Sequence, residues 1–311
     1  MPDPIRFKLV DAFTMTPYAG NVAGVVFEAD ALTDRQMQAI AMEFNAAETT
    51  FILKPTTRDA AVRFRWFTPG CEVNFCGHAT LGAVHALLED GQFATAFAEP
   101  GTILPIETRS GILSIRIQQN EDPNRPSTFW LDMPHSEPKK TPVNLPPLLP
   151  HLGLRESDLD PRFKPIRSND DDILLAVNSL QTLLELRPSM SGIVDYSERA
   201  GGLRGIFVTT LQTLTPANAC QSRFFAPAAG VDEDPVTGSA HGPLGLHLVR
   251  SGLVPVAGGR SDFLCAQAKA GARAGVVRVV VVAADTDHPH VRIGGQCVTT
   301  ASGTFERLPP A

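Results

Sequence analysis

The chain has 311 residues, a net charge of -6 at pH 7 and a hydrophobic share of 43%. This length predicts two domains, and the hydrophobic share suits an ordinary globular protein with an ample core. The acidic balance, without a basic stripe, argues against nucleic acid as a partner. No apolar run approaches the ~18–20 residues of a membrane span, and the first residues lack the layout of a signal peptide.

Cysteine usage bears on both compartment and metal binding. The five cysteines are odd in number and widely scattered, which argues against a disulfide framework and favours a reducing cytoplasm. The sequence contains neither a CxxC nor an HExxH spacing, so we expect no metal site. The expected protein is therefore cytoplasmic, with no membrane partner.

Local signals predict four features outside the segments that carry chemistry. A helix at about 34–44 follows Thr33 as N-cap, and Gln36 three positions later completes a capping box. A proline-rich stretch from residue 130 to residue 150 is interpreted as a linker, and a short amphipathic helix is expected within residues 145–159. The run Asp170 to Asp172 is interpreted as a solvated turn before a strand rather than as a metal site.

Glu48 stands among small and apolar residues just before a predicted strand. If neighbours such as Phe44 and Phe51 bury this side chain, its uncharged form is favoured, and the carboxyl becomes a usable base or acid near neutral pH. A surface glutamate at a strand entrance would explain the same residue without any chemistry.

The stretch NFCGHATLG opens a second predicted helix with Cys76, Gly77 and His78. A thiol, a bare backbone and an imidazole are not needed to start a structural helix, and together they indicate chemistry. A turn of small residues with a buried, hydrogen-bonded histidine is the alternative interpretation.

Two parts of the chain resemble each other in the same order of elements. In each part an aromatic strand ending in proline precedes a helical run, and a further strand follows it. Gly77 and Gly91 are 14 positions apart, as are Gly238 and Gly252, and the second glycine of each pair stands where a helix C-cap belongs. The matched strands are RWFTP from Arg65 and RFFAP from Arg223.

Both helical runs are apolar or small nearly all round, and a helix without a polar face is usually buried on every side. Strand signals flank both runs. We therefore predict an α+β protein with two lobes, residues 1–130 and 131–311, each a curved sheet around a central helix. The helices are expected at about 77–90 and 238–251, and the last strand is allowed to cross back to the first lobe.

If a pseudo-twofold axis relates the lobes, the two helix N-termini face each other. Their unpaired N–H groups and positive dipole ends attract an anion, and glycine lets a ligand approach the backbone. Residues 76–78 and Thr237, Gly238 and Ser239 would then lie on either side of one cleft and bind a carboxylate. Asp234, just before the second helix, is either a turn former or a cleft residue that orients His78 or binds a substrate amine.

Five segments of this sequence resemble one known family over nearly the whole chain. The chain is similar to the PhzF-like isomerases, named for phenazine biosynthesis, within the diaminopimelate epimerase superfamily. The ETTF, GHAT and DPVTGSA signatures are the most specific. The matching segments are DAFTMTPYAGNVAGVV, MEFNAAETTFIL, FTPGCEVNFCGHATLGAVHALL, RFFAPAAGVDEDPVTGSAHGPLG and VRIGGQCVTTASGTF.

The resemblance implies a diaminopimelate-epimerase-like fold, a proton shift on a small carboxylate without any cofactor, and a homodimer. It maps the catalytic base to Glu48, although Ala47 stands where the family commonly has serine. It also maps catalytic groups to His78 and Asp234 and substrate-binding groups to a further set: Cys76, Gly77, Thr237, Gly238 and Ser239.

Cys76 distinguishes the alternatives. Epimerases of the superfamily use two cysteines, one before the glycine of each helix start, and the corresponding residues here are Cys76 and Thr237. Two-thiol racemisation is therefore not expected, and Cys76 is a relic, a spectator or a second acid. The alternatives are an epimerase or dehydratase of an amino or hydroxy acid that uses Glu48 with Cys76, and a non-catalytic relative that binds a small ligand.

Overall fold

The computed structural model describes residues 5–93, 101–120, 126–133, 136–268 and 273–310. These divide into two compact units. Unit 1 comprises Met1–Leu131 and Gly294–Ala311, and unit 2 comprises Asp132–Ile293. Residues 134–135 of the predicted linker lie outside the described residues.

The sheet of unit 1 has the order β17–β1–β2–β3–β4–β6–β7–β8. The pairs β2–β3 and β4–β6 are parallel, the other neighbours are antiparallel, and the short β5 pairs with β4. The strands are β1 Arg6–Ala12, β2 Asn21–Val26, β3 Glu48–Leu53, β4 Val62–Phe67, β5 Glu72–Val73, β6 Ile103–Thr108, β7 Gly111–Gln118, β8 Thr128–Asp132 and β17 Cys297–Thr304.

The sheet of unit 2 has the order β9–β10–β11–β12–β14–β15. The pairs β10–β11 and β12–β14 are parallel, the others are antiparallel, and the short β13 pairs with β12. The strands are β9 Ile166–Arg167, β10 Asp172–Ala176, β11 Gly205–Thr210, β12 Asn218–Ala226, β13 Val231–Asp234, β14 Arg260–Gln267 and β15 Gly275–Val282, followed by β16 His290–Gly295.

The repeat seen in the sequence is also a repeat of topology. The run β2–β3–β4–β6–β7 of unit 1 has the same sequence of parallel and antiparallel pairs as the run β10–β11–β12–β14–β15 of unit 2. In both units a long helix follows the short strand that pairs with the middle of the run, β5 or β13. Each unit therefore repeats one arrangement of strands and helix.

The two predicted central helices are α2, Gly77–Glu89, and α6, Gly238–Arg250. Both are largely buried, as expected for helices without a polar face. Both end in the same way: Gly91 and Gly252 have φ of +70° and +67°, and the amides beyond the last turn bond back to helix carbonyls. Glycine adopts this left-handed conformation without steric cost, which is why it ends both helices.

The first helix of the chain, α1, spans Asp34–Phe44 as predicted, and its capping box is present. The Gln36 amide N–H donates to Thr33 Oγ1 at 3.3 Å, and the Thr33 amide N–H donates to Gln36 Oε1 at 3.0 Å. The apolar side of α1 packs on the sheet of unit 1 in a cluster that includes Phe51 and the partly buried Phe44.

Three short helices belong to unit 2. They are α3 Leu149–Leu152, α4 Leu180–Glu185 and α5 Met190–Arg199. The amphipathic helix expected within residues 145–159 is confirmed as the single turn of α3, followed by a 3-10 turn at Glu156–Asp158. Among the described residues, none of the helices is long and apolar enough to cross a membrane.

The interpretation of Asp170 to Asp172 as a solvated turn is wrong for the last residue. Asp172 is fully buried and pairs with Arg204, whose Nε lies 2.8 Å from Oδ1. Burial raises the pKa of Asp172 even though the Arg204 guanidinium opposes this. Asp171 contacts Lys139 and Arg167, so the run forms ion pairs that fix the start of β10.

Two helix glycines should respond in opposite ways to alanine. A Cβ on Gly245 would lie 2.5 Å from Val279 Cγ1, whereas a Cβ on Gly82 would meet ordinary contacts of 3.4 Å or more with Ala23 and Val10. We expect Gly245→Ala to lower the free energy of unfolding by about 1–3 kcal/mol because it overpacks the core. Gly82→Ala should leave it unchanged or raise it by up to about 1 kcal/mol, since alanine is the better helix former. Urea unfolding of both variants measures this, and equal losses would contradict it.

A buried histidine should make the fold sensitive to acid. His241 in α6 is fully buried, its Nδ1 lies 2.8 Å from Thr237 O, and its ring contacts Phe207 edge-on at 5.1 Å. Burial lowers its pKa to about 4. At pH values above the ordinary histidine pKa of about 6.5, the ring is neutral in both the folded and the unfolded chain, and the fold has its full stability. As pH falls from about 6.5 to 4, the unfolded chain binds the proton first, and stability drops by up to about 1.4 kcal/mol per pH unit.

Comparison with His241→Asn isolates this effect. Asparagine keeps an N–H donor but cannot be protonated in this range. The difference in unfolding free energy between the parent and the variant, from urea unfolding at pH 7, 5.5 and 4.5, should change in favour of the variant as pH falls. A constant difference would show that His241 does not titrate as described.

Candidate active site

Glu48 is the first residue of β3 and points toward α2. Side chains alternate across a strand, and Thr50, two positions on, donates its Oγ1 hydrogen to Ala79 O at 3.1 Å. On this same face Glu48 Oε2 lies 3.3 Å from His78 Nε2. The Glu48 side chain is 21% exposed and that of His78 is 8% exposed, so the pair is largely shielded but within reach of solvent.

The neighbours expected for Glu48 are different in the structure. Phe51 has the opposite parity on β3 and packs, together with Phe44, in the cluster beneath α1. The carboxylate therefore meets an imidazole rather than phenyl rings. The expectation that Phe51 shields Glu48 was wrong because side chains three positions apart on one strand lie on opposite faces.

The start of α2 brings a thiol to the same imidazole. Cys76 is the N-cap residue, and its side chain makes no capping bond to the helix. Its Sγ lies 3.4 Å from His78 Nδ1, and both residues are 7% exposed. The imidazole of His78 thus has the Cys76 thiol at one ring nitrogen and the Glu48 carboxylate at the other.

This cluster of thiol, imidazole and carboxylate can transfer protons. One ligand atom from each of the three residues lies within 4.8 Å of the others, and these residue types also bind zinc. However, His78 presents different nitrogens to its two partners at 3.3 and 3.4 Å. This arrangement fits proton transfer along a line of groups better than it fits one shared ion.

Backbone amides at the start of α2 complete this group. The first helical bond runs from Thr80 N to Cys76 O at 3.1 Å, so the amides of residues 77–79 precede it and point out of the helix end. A Cβ on Gly77 would meet only Leu131 at 3.7 Å and Phe75 at 3.9 Å. Packing therefore does not require glycine here, and its bare backbone leaves room for a bound group.

The start of α6 holds the second set of predicted residues. Thr237, its N-cap, donates its hydroxyl hydrogen to Asp234 Oδ2 at 2.5 Å. Gly238 is the first residue of α6, and the half-buried Ser239 follows it in the same turn. The structure thus brings Cys76, Gly77 and His78 together with Glu48 in unit 1, and the residues from 234 to 239 together in unit 2.

Gln267, at the end of β14, is a member of the second set that the sequence analysis missed. It is fully buried. Its Oε1 accepts from Thr237 N at 2.7 Å, and its Nε2 donates to Asp234 O at 2.8 Å and to Thr237 Oγ1 at 3.0 Å. No local motif marks a strand glutamine as functional, because only the fold brings it to a helix start 30 residues earlier.

Comparisons with known proteins agree over nearly the whole chain. A family model described as phenazine biosynthesis-like protein matches residues 10–303. The uncharacterised isomerase YddE of Salmonella typhimurium is 34% identical over 292 residues, which are 93% of this chain and 94% of that protein. A Bacillus anthracis phenazine biosynthesis protein of the PhzF family has a crystal structure with a TM-score of 0.84 and 29% identity, covering 97% of this chain and 99% of that one.

A more distant structure bears on the fold alone. The hydroxyproline epimerase of Agrobacterium vitis is 15% identical, with a TM-score of 0.56 over 97% of this chain and 90% of that one. The predicted diaminopimelate-epimerase-like α+β fold is confirmed. The hypothesis of a non-catalytic relative is not retained, because the relatives are named isomerases. By its match from residue 10 to residue 303, the chain belongs to the phenazine biosynthesis-like (PhzF) family and is an isomerase.

Proposed function

We propose that this isomerase catalyses a cofactor-independent proton shift on a small carboxylate-bearing substrate, with Glu48 as the base. The observation that carries this proposal is the contact of 3.3 Å between Glu48 Oε2 and His78 Nε2 beside the start of α2. A general base must lie within hydrogen-bond reach of the proton that it removes, and a partner group must orient it. His78 contacts Glu48 and orients it, and Glu48 is partly exposed, so a substrate can reach its carboxylate.

The proposed reaction moves one proton between two carbons. Glu48 removes a proton from a carbon that is made acidic by an adjacent π-system, and the electron pair of that C–H bond enters the π-system. The carboxyl then returns the proton to another carbon, directly or through His78, which restores the Glu48 carboxylate. The outward N–H groups of residues 77–79 stabilise charge on the substrate carboxylate and on the intermediate.

The second helix start supplies the remaining proposed groups. The motif DPVTGSA carries Asp234 as a catalytic group and Thr237, Gly238 and Ser239 as substrate-binding groups. The support is the match of this motif to the family and the repeat of topology that gives α6 the same kind of start as α2. Cys76 and Gly77 are the corresponding binding groups at α2.

A second candidate is epimerisation or dehydration of an amino or hydroxy acid, with Cys76 as a second acid. The observation that favours it is the distance of 3.4 Å between Cys76 Sγ and His78 Nδ1, since a thiol in contact with an imidazole can exchange its proton. Thr237 occupies the corresponding N-cap of α6, so a second thiol is not available there.

The test of the reaction class is proton exchange. A panel of small amino and hydroxy acids is incubated with the enzyme in deuterated buffer and followed by NMR. Deuterium incorporated at a carbon beside a π-system, with migration of a double bond, supports the isomerase. Exchange at a single stereocentre supports the epimerase, and loss of a hydroxyl group supports the dehydratase.

The base itself is tested with Glu48→Gln. Glutamine keeps the shape of the side chain but no longer accepts the proton, and loss of a general base typically costs roughly 10²–10⁴-fold in rate. We expect kcat to fall by this factor, while ligand binding persists because the helix starts are unchanged. The matched control is Glu43→Gln, which alters an exposed glutamate of α1. Parental turnover by Glu48→Gln would remove Glu48 from this role.

Cys76→Ala separates the two candidate reactions in the same assay. Under the isomerase mechanism the variant should retain kcat within a few-fold, whereas under the second-acid mechanism it should lose about as much as Glu48→Gln. The kcat values of both variants are therefore compared on the panel compound that exchanges fastest.

We also propose that the enzyme is a cytoplasmic homodimer. The dimer follows from the family resemblance, and the location from the five scattered cysteines, which suit a reducing compartment. Light scattering at micromolar concentration should give twice the mass of the chain. A mass equal to that of one chain would remove the dimer.

A further inference from the structure

Gln267 fixes the hydrogen-bond pattern of the loop that leads into α6. Thr237 N–H can only donate and Asp234 C=O can only accept. The amide of Gln267 meets both, with Oε1 at 2.7 Å from Thr237 N and Nε2 at 2.8 Å from Asp234 O. A flipped amide would oppose donor to donor and acceptor to acceptor, so one orientation of this side chain is determined.

This orientation also sets the direction of the Thr237 hydroxyl. The second hydrogen of Gln267 Nε2 is donated to Thr237 Oγ1 at 3.0 Å. Because the hydroxyl oxygen accepts there, its single hydrogen is available for Asp234 Oδ2, which lies at 2.5 Å. Gln267 thus holds in place the hydroxyl that donates to the Asp234 carboxylate.

We infer that Gln267 is a positioning residue of the active site: through its bonds to Thr237 and to the Asp234 carbonyl, it holds the Asp234 carboxylate in place. Gln267 itself does not touch the substrate. The inference rests on the proposed function, because it assumes that Asp234 takes part in the reaction.

A neighbouring glutamine provides the matched control. Gln221 on β12 is 2% exposed, and its Nε2 donates to Ala268 O at 2.7 Å. Gln221 and Gln267 are therefore buried glutamines on adjacent strands, each holding a backbone carbonyl. Only Gln267 contacts Thr237 and Asp234. Removing the Gln221 amide takes the donor from the Ala268 carbonyl, and removing the Gln267 amide takes the partners of Thr237 N–H and the Asp234 carbonyl, so both variants should lose stability.

The experiment compares four variants: Gln267→Leu, Gln221→Leu, Asp234→Asn, and Gln267→Leu combined with Asp234→Asn. Activity is deuterium incorporation into the panel compound that exchanges fastest, and urea unfolding reports stability. We expect Gln267→Leu to lower kcat about 10–100-fold, the loss typical of a hydrogen bond to a charged group. Gln221→Leu should stay within a few-fold of the parent. The loss for Gln267→Leu should fall on kcat, with KM within a few-fold of the parent, because a positioning role acts on the reaction rather than on substrate binding.

The double variant tests whether Gln267 acts through Asp234. If it does, Gln267→Leu adds little to the loss already caused by Asp234→Asn, because residues in one network are not additive. Losses that multiply would contradict the inference. If Gln267→Leu does not fold, Gln267→Met replaces it: this neutral side chain is closer in length to glutamine but cannot donate to Thr237 Oγ1, so the same loss of kcat at little-changed KM is expected.

Failure of the inference and failure of the proposed function give different results. If Asp234→Asn loses activity while Gln267→Leu matches Gln221→Leu, Gln267 is structural and the proposed function stands. If Asp234→Asn exchanges protons at the parental rate, the role of Asp234 falls, and the role of Gln267 falls with it.

Discussion

Two helices without a polar face must each be enclosed by protein, and this constraint decides where polar chemistry can occur. Leu81 and Leu87 of α2 and Leu244 and Leu248 of α6 are fully buried. The sides of these helices are therefore occupied by packing. Their last carbonyls are bonded by amides beyond the final turn, whereas the first amides of a helix have no partner within it. Reactive groups consequently collect at the helix starts.

The position of Glu48 depends on how α1 ends and β3 begins. The C-cap of α1 is Asn45, which has φ of +48°. Phe44 packs so tightly that a Cβ on Gly24 would lie 2.7 Å from it. This close approach fixes the short connection to β3, in which Glu48 pairs with Ala23 and Thr49 with Gly24. A register shift of one residue would turn Glu48 toward α1, away from His78. The close packing at Gly24, which pairs with Thr49, thus helps to hold the register that directs Glu48 toward His78.

The sequence predicts well what depends on local chemistry. Thr33 and Gln36 mark the start of α1, and the glycines at 77, 91, 238 and 252 mark both central helices to within about one residue. Features that depend on pairing across the fold were missed. Asp172 resembled a solvated turn because Arg204, its partner, is 32 residues away. Gln267 showed no signal for the same reason.

The two helix starts share one hydrogen-bonded frame, in which a side chain bonds the carbonyl of the N-cap residue. They differ in which neighbouring groups can change protonation. In both, a side chain four residues into the helix bonds the N-cap carbonyl: Thr80 Oγ1 to Cys76 O at 2.5 Å, and His241 Nδ1 to Thr237 O at 2.8 Å. At α2, the groups beside this frame are a carboxylate, an imidazole and a thiol.

At α6, most of the corresponding groups keep one protonation state near neutral pH. The Gln267 amide and the Thr237 hydroxyl do not titrate near neutral pH, and burial keeps the His241 ring neutral by lowering its pKa to about 4. The Asp234 carboxylate thus accepts from a hydroxyl that does not titrate, whereas Glu48 contacts an imidazole, a group that can itself take up or release a proton. Because proton transfer requires groups that change state and orientation requires groups that do not, the repeated frame favours a chain of proton-transfer groups at α2, and at α6 a single carboxylate, Asp234, held by groups that orient it.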